Sequence, residues 1–352
     1  MGLDLSDTLV VGISGTALFD LEEADSLFRE LTRKDRDDGI AQYRSHMLAR
    51  EDERLDPGTG FPLVKALLWL NSFKKEGEAP LVEVIVMSRN SPETGVRILN
   101  SIRSHQLAIS RTAFTGGEPV VDYLDAFDVD LFLTTNAEDA QRVIDSKACA
   151  TAVVRRPPAG AASLPENQVR IAFDGDAVLF SEEGELVYKR EGLPAFHKAE
   201  FEAKEIPMPE GPHAVLLRKL ARLQERLTVR VEYSPVRLSI VTARNSPADI
   251  RVIKTFRKWG VYVDEAFFLG GVEKTKVLAA FKPHIFFEDQ DVHLNPAAEL
   301  VPSAKVPYAS DSKLRSARSV RAPSAAADDK APVGEDSQIA AQSDREKHGQ
   351  LA

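Results

Sequence analysis

Val169-Arg170-Ile171-Ala172-Phe173-Asp174-Gly175-Asp176-Ala177-Val178-Leu179-Phe180 decides how the rest of the chain reads. Five mainly apolar residues end in two carboxylates one residue apart, and a second apolar run follows at once. The first run is the signature of a buried strand, and the acids stand where it opens into a loop. Two carboxylates so placed are an arrangement for holding a divalent cation and a phosphate.

Outward from this segment, strand signals alternate with helical ones, which predicts an α/β fold on parallel sheet. The expected strands are Leu9 to Ile13, Val82 to Met87, Leu131 to Leu133, Val169 to Phe173, Arg237 to Val241 and Ile285 to Phe287. The expected helices are Pro62 to Phe73, Pro92 to His105, Pro212 to Leu227 and Pro247 to Trp259, each opened by a proline.

The segment also has a counterpart. Ile13-Ser14-Gly15-Thr16-Ala17 lies over Phe173-Asp174-Gly175-Asp176-Ala177, Ser88-Arg89-Asn90-Ser91-Pro92 over Ala243-Arg244-Asn245-Ser246-Pro247, and Phe114-Thr115-Gly116-Gly117 over Phe268-Leu269-Gly270-Gly271. Three matches in one order at near-constant spacing point to an internal duplication into two Rossmann-like units. The expected division is 1–150, a half without catalytic groups, 151–308, the catalytic half, and 309–352, a disordered tail. The tail reading rests on the lack of any aromatic residue after Tyr308 and the absence of apolar periodicity.

Within the second half, polar groups follow strand ends or open helices at Asp174, Asp176, Thr242, Lys274 and the Glu288-Asp289 pair. In an open parallel sheet these places share one crevice. A carboxylate there can attack phosphorus, a second acid can move a proton, and a hydroxyl and an ammonium can hold the phosphoryl oxygens. Matching the halves by sequence sets Asp174 against Ser14, Asp176 against Thr16, Thr242 against Met87, Arg244 against Arg89, Lys274 against Val120 and Asp289 against Thr135. Every proposed catalytic group is then missing from the first half. Lys274 competes with Lys276 as the phosphate ligand, and Arg244 reads equally as a surface cation or a phosphate ligand.

Composition sets the bounds. The chain has 352 residues, 43% hydrophobic and 28% charged, with a net charge of -9 and one cysteine. Such a length suits two domains. The acidic balance argues against a nucleic-acid backbone or an anionic membrane as main partner. The lone Cys149 excludes an intramolecular disulfide and reads as a structural thiol. The residues Met1-Gly2-Leu3-Asp4 lack the character of a signal peptide, and no run approaches the ~18 apolar residues of a membrane span. The expectation is a cytoplasmic protein.

The series of apolar strand and Asp174-Gly175-Asp176, then Thr242, Lys274 and Glu288-Asp289, resembles the haloacid dehalogenase superfamily. The fuller strings Phe173 to Ser181, Val241-Thr242-Ala243-Arg244 and Pro283-His284-Ile285-Phe286-Phe287-Glu288-Asp289-Gln290 resemble, more narrowly, the cytosolic 5'-nucleotidase I family. In the first half so do Ala17-Leu18-Phe19, Phe61-Pro62-Leu63-Val64-Lys65-Ala66-Leu67 and Asn100-Ser101-Ile102. The resemblance implies Asp174 as nucleophile and Asp176 as general acid/base. It also implies Thr242, Ala243, Arg244 and Lys274 around the phosphate, and Mg2+ held by Asp174, Asp289 and the Asp176 carbonyl. Glu288 stands where the family is expected to carry an aspartate. A cap insertion is expected at about 181–236, with Phe196, Phe201 and Tyr233 as candidates for stacking on a base.

The expected substrate is a nucleoside or deoxynucleoside 5'-monophosphate. Alternatives are another small phosphomonoester, or nucleotide binding for regulation without turnover, and a homo-oligomer is left open.

Overall fold

A computed structural model describes residues 5–158, 164–227 and 234–317. In chain order the first half runs β1 (Leu9–Ile13), α1 (Gly15–Leu18), α2 (Glu22–Lys34), α3 (Arg36–Ala49), α4 (Phe61–Trp69), β2 (Val82–Ser88), α5 (Val96–Ser104), β3 (Arg111–Phe114), α6 (Val121–Leu124), β4 (Leu131–Thr134), α7 (Ala137–Ser146) and β5 (Ala150–Val154). The second runs β6 (Val169–Phe173), α8 (Glu183–Glu191), α9 (Leu193–Glu202), α10 (Ala214–Arg226), β7 (Val236–Thr242), α11 (Asp249–Trp259), β8 (Glu265–Phe268), α12 (Thr275–Phe281), β9 (Ile285–Glu288), α13 (Asp291–Ala298) and β10 (Ser303–Lys305). All six strands expected from the sequence are present. The strands it missed, β3, β5, β8 and β10, are three to five residues long. Such runs carry too little periodicity to stand out.

The strands form one sheet in the order β3-β2-β1-β4-β5-β10-β9-β6-β7-β8. Every neighbouring pair is parallel except β5 with β10, where Ala304 faces Val154 and Lys305 faces Val153 antiparallel. Two five-strand sets with the same internal order therefore meet edge to edge in opposite directions. The two parallel-sheet units expected from the sequence are thus joined into one mixed sheet. All five residues of β1 are buried, as are four of the five in β6, which is what helices on both faces of a sheet produce.

The core is shared as well. A single apolar cluster runs from Leu9, Val11 and Ile13 through Leu63 and Leu67 to Ile171, Phe173, Leu217, Leu220 and Phe287. Helix α4 reaches across to β6, and α10 reaches β1. Lys219 of α10 donates to the Ser6 carbonyl at 2.8 Å and pairs with Asp130 at 3.5 Å. The stretch 181–236 expected as a cap therefore divides. Helices α8 and α9 follow the Asp174 loop as a separate pair, whereas α10 is a core helix, and Tyr233 lies outside the described residues. The first half carries its own helix pair, α2 and α3, at the equivalent place after β1.

The expected tail begins too early. Leu314 is buried against Ala177 and Leu186, with Tyr308 and Ala317 packed on the same cluster. Ser310 bonds Asp145 through its N–H and hydroxyl at 2.7 Å, and Ser312 and the Lys313 N–H bond Glu182. One leucine and a few polar anchors order 309–317, a signal too sparse for composition to reveal. The remainder of the expected tail, 318–352, lies outside the described residues.

Two predictions follow from this packing. Residues 164–317 expressed alone lose α4 from β6 and the β5 partner of the β10 edge, and are expected to be insoluble or to melt far below the full chain in circular dichroism. His213 is buried between Phe173 and Phe287 with no hydrogen-bond partner on either ring nitrogen among the described residues, and burial lowers its pKa to about 3. The unfolded chain then binds the extra proton, so this contribution to stability falls as pH drops from about 6.5 towards 3. Between pH 7 and 5 the wild type should lose about 2 kcal/mol that His213→Leu retains, read from urea midpoints.

Candidate active site

Asp174 is the residue after β6, and its N–H donates to the Phe287 carbonyl of β9 at 2.9 Å. Strand β6 has β7 on one side and β9 on the other, so the chain leaves it in both directions and opens a crevice at its carboxyl end. The loop closes on Gly175, whose carbonyl accepts from both Leu179 and Phe180 at 2.9 Å, with Ala177 in the left-handed region at φ +58°. The turn points Val178, Leu179 and Phe180 into the core and leaves Asp174 and Asp176 on the crevice side.

Three carboxylates meet here. Asp174, Glu288 and Asp289 each bring an oxygen within 4.8 Å of the others, and all are buried. Lys274, at the start of α12, lies 2.7 Å from Asp174 Oδ1 and 2.7 Å from Glu288 Oε2. Glu288 Oε1 accepts from the N–H groups of Asp289 and Gln290 at 3.1 and 3.0 Å, so both its oxygens are engaged. Asp289 Oδ2 accepts from the Tyr308 hydroxyl at 2.5 Å, whereas its Oδ1 is buried without a hydrogen-bond partner among the described residues.

The electrostatics follow from burial of this cluster. Desolvation and the charge of Glu288 push Asp174 up to about 6 against the pull of Lys274. Desolvation first, then Glu288 and Asp174, hold Asp289 well above the usual carboxylate range. Burial opposes the charge on Lys274, but Asp174 and Glu288 outweigh it and keep the ammonium protonated. One ammonium against three carboxylates leaves negative charge uncompensated, and an orphaned oxygen on Asp289 faces it. A hard divalent cation fits that donor set in charge and in ligand type.

The other expected residues are placed as follows. Thr242 ends β7, is buried, and accepts the Arg244 N–H on Oγ1 at 3.3 Å. Ala243 is exposed. Lys274 is buried and Lys276 exposed, which separates the two lysines the sequence left in competition. Asp176 is held on both oxygens by Arg244, Nε to Oδ2 at 2.7 Å and Nη2 to Oδ1 at 2.6 Å. Arg244 is therefore engaged by carboxylates. Phe196 is buried against Arg244, and Phe201 is half exposed beneath Lys204. Burial pushes the Cys149 thiol up to about 12, away from nucleophilic use. Tyr308 and Glu200 were missed because nothing in the local sequence around them marks a site.

Register corrects part of the match between halves. Val82 pairs with Leu9 as Val236 pairs with Val169, which places Ser88, not Met87, at the position of Thr242. Ser88 and Thr242 both accept through oxygen from the residue two ahead, Asn90 and Arg244. The counterpart of Arg244 is thus Asn90, not Arg89. The halves differ by one residue between this strand end and Pro92 or Pro247, a shift the matching Arg-Asn-Ser-Pro strings concealed. The first half's crevice keeps hydroxyls in place of acids, with Thr16 Oγ1 3.1 Å from Ser14 Oγ and 2.6 Å from Thr135 Oγ1.

A family model described as 5'-nucleotidase matches residues 1–313. Cytosolic 5'-nucleotidase 1B from Homo sapiens is 32% identical over 302 residues, covering 84% of this chain and 48% of the relative. The chain thus spans about half the length of this relative. No solved structure matches the chain.

Removing the one cation should expose the cost of burying the acids. Lys274→Met leaves Asp174 and Glu288 uncompensated, an expected loss of about 3–5 kcal/mol in urea melts without divalent cations. The carboxyl pKa values rise further in that variant, so lowering the pH towards 5 should restore part of the loss.

Proposed function

The chain belongs to the 5'-nucleotidase family, and on that premise we propose that it hydrolyses nucleoside or deoxynucleoside 5'-monophosphates to nucleoside and phosphate. The observation that carries the reading is the buried convergence of Asp174, Glu288, Asp289 and Lys274 at the carboxyl ends of β6 and β9. An acid cluster of this kind is costly to maintain. Phosphoryl transfer gives it a use.

In this proposal an Asp174 oxygen bonds to phosphorus as the bond from phosphorus to the nucleoside 5'-oxygen breaks, giving an aspartyl-phosphate. Asp176 delivers a proton to the departing oxygen, then takes one from the water that displaces Asp174 from phosphorus. Lys274 and Thr242 hold the non-reacting phosphoryl oxygens. Asp174, Asp289 and the Asp176 carbonyl would hold Mg2+, which would supply positive charge against the phosphoryl oxygens. Asp289 suits that duty because its Oδ1 has no hydrogen-bond partner among the described residues, whereas Glu288 is fully occupied in fixing Lys274 and the loop.

The domain reading belongs to the same proposal. Residues 1–150 form a non-catalytic half and 151–308 the catalytic one, both from one duplicated unit. The shared strand order and the paired positions of Ser88 and Thr242 support that descent. A cytoplasmic setting is proposed by likeness to the relative, and no helix among the described residues is long and apolar enough to cross a membrane.

Asp174→Asn should abolish phosphate release while leaving the circular dichroism spectrum and melting temperature near wild type. Near-normal turnover would remove Asp174 as nucleophile. Across a panel of phosphorylated metabolites with Mg2+ present, nucleoside 5'-monophosphates should give the highest kcat/KM. A sugar phosphate in first place would shift the reading to another phosphomonoester, and tight nucleotide binding without any turnover would make the chain a regulatory binder.

A further inference from the structure

We propose that Glu200 of α9 is a positioning residue for the reaction, acting through Arg244 on Asp176. The inference rests on the reading of Asp176 as the group that moves the proton. Its geometry is a chain of buried charge-assisted hydrogen bonds. Arg244 holds both oxygens of Asp176, and its remaining terminal nitrogen, Nη1, donates to Glu200 Oε2 at 2.6 Å. Glu200 Oε1 is held in turn by Arg251 of α11 at 3.0 Å. Arg244 and Glu200 are each only 3% exposed.

The surroundings fix the guanidinium in plane and position. Its carbon lies 5.0 Å from the Phe196 ring centroid and 5.9 Å from that of Phe180. On α8, Gly184 approaches so closely that a Cβ there would stand 2.5 Å from Arg244 Nη2 and 2.8 Å from Asp176 Oδ1. His197 of α9 pairs with Asn245, the neighbour of Arg244, at 2.8 Å. The α8 and α9 pair thus touches the acid/base residue through one arginine set by one glutamate. A bidentate arginine fixes the plane of the Asp176 carboxylate and leaves each oxygen a further lone pair for the reaction.

Two arguments favour orientation over simple cohesion. A buried ion network adds little net stability compared with apolar packing, so its return is geometric. The first half supplies the second argument, because its α2 and α3 pair sits at the equivalent place without this chain. There Thr16 stands for Asp176 and Asn90 for Arg244. The arginine occurs where the acid it orients occurs.

The test compares leaving groups in the full-length chain. Protonation matters for the alkoxide released from a nucleoside 5'-monophosphate and little for the phenolate released from p-nitrophenyl phosphate. Glu200→Gln should lower kcat/KM on the nucleotide about 10- to 100-fold with KM within about twofold, while kcat/KM on the aryl phosphate, which reports only the steps up to release of the leaving group, falls by about threefold or less. Gly184→Ala, which displaces Arg244 from the other side, should give the same pattern, and so should Arg244→Lys, because an ammonium lacks the planar fork that grips both Asp176 oxygens while reaching Glu200. Thermal melts identify any variant that fails to fold, in which case the other variant decides. Unchanged kcat/KM, equal losses in kcat/KM on both substrates, or a change confined to KM overturns the inference. A wild-type chain with no activity on any nucleoside monophosphate overturns the functional reading itself, whereas an active wild type with an unaffected Glu200→Gln overturns this inference alone.

Discussion

The short antiparallel pairing of β5 with β10 is the constraint from which the architecture follows. Two residue pairs, extended by the Arg155 N–H donating to the Ser303 carbonyl at 2.9 Å, join two five-strand sets into one sheet. Because the joint is antiparallel, the carboxyl ends of the two sets face opposite edges. The first half therefore cannot offer the loops at its own strand ends to the acid cluster. It reaches that side through α7, whose Gln141 and Asp145 hold the 308–315 segment that carries Tyr308 to Asp289.

The same joint explains why the halves share a core. Helices α4 and α10 each cover apolar strand surface across the boundary, and the polar contacts of Lys219 and Arg226 to the segment before β1 seal the rim. Residues of the first half thus support the second half by burial, a role its apolar frame fills independently of any chemistry at its own crevice.

At the cluster, burial and charge oppose each other. Raised carboxyl pKa values on Asp174 and Asp289, an ammonium locked between two acids and an orphaned Asp289 oxygen describe a site short of positive charge. Asp176, two residues beyond Asp174, has the opposite surroundings, a guanidinium on both oxygens. Two acids two positions apart thus sit in separate electrostatic settings, as the proposed division of tasks between them requires.

The sequence by itself determined the longer strands, the α/β alternation, the repeated order of segments and the residues that gather at Asp174. Those follow from local patterns, since a buried strand is written in consecutive residues and a ligand at its end in the next one or two. It left Arg244 ambiguous, matched it to Arg89 through a one-residue slip, and was silent on Glu200 and Tyr308. Only the tertiary structure decided those, because a partner 44 positions away across a helix pair, or a tyrosine beyond the last strand, is brought near by packing and has no local signature. The antiparallel joint belongs with them, since three-residue β10 pairs with a strand whose position in the sheet is set by every other strand in it.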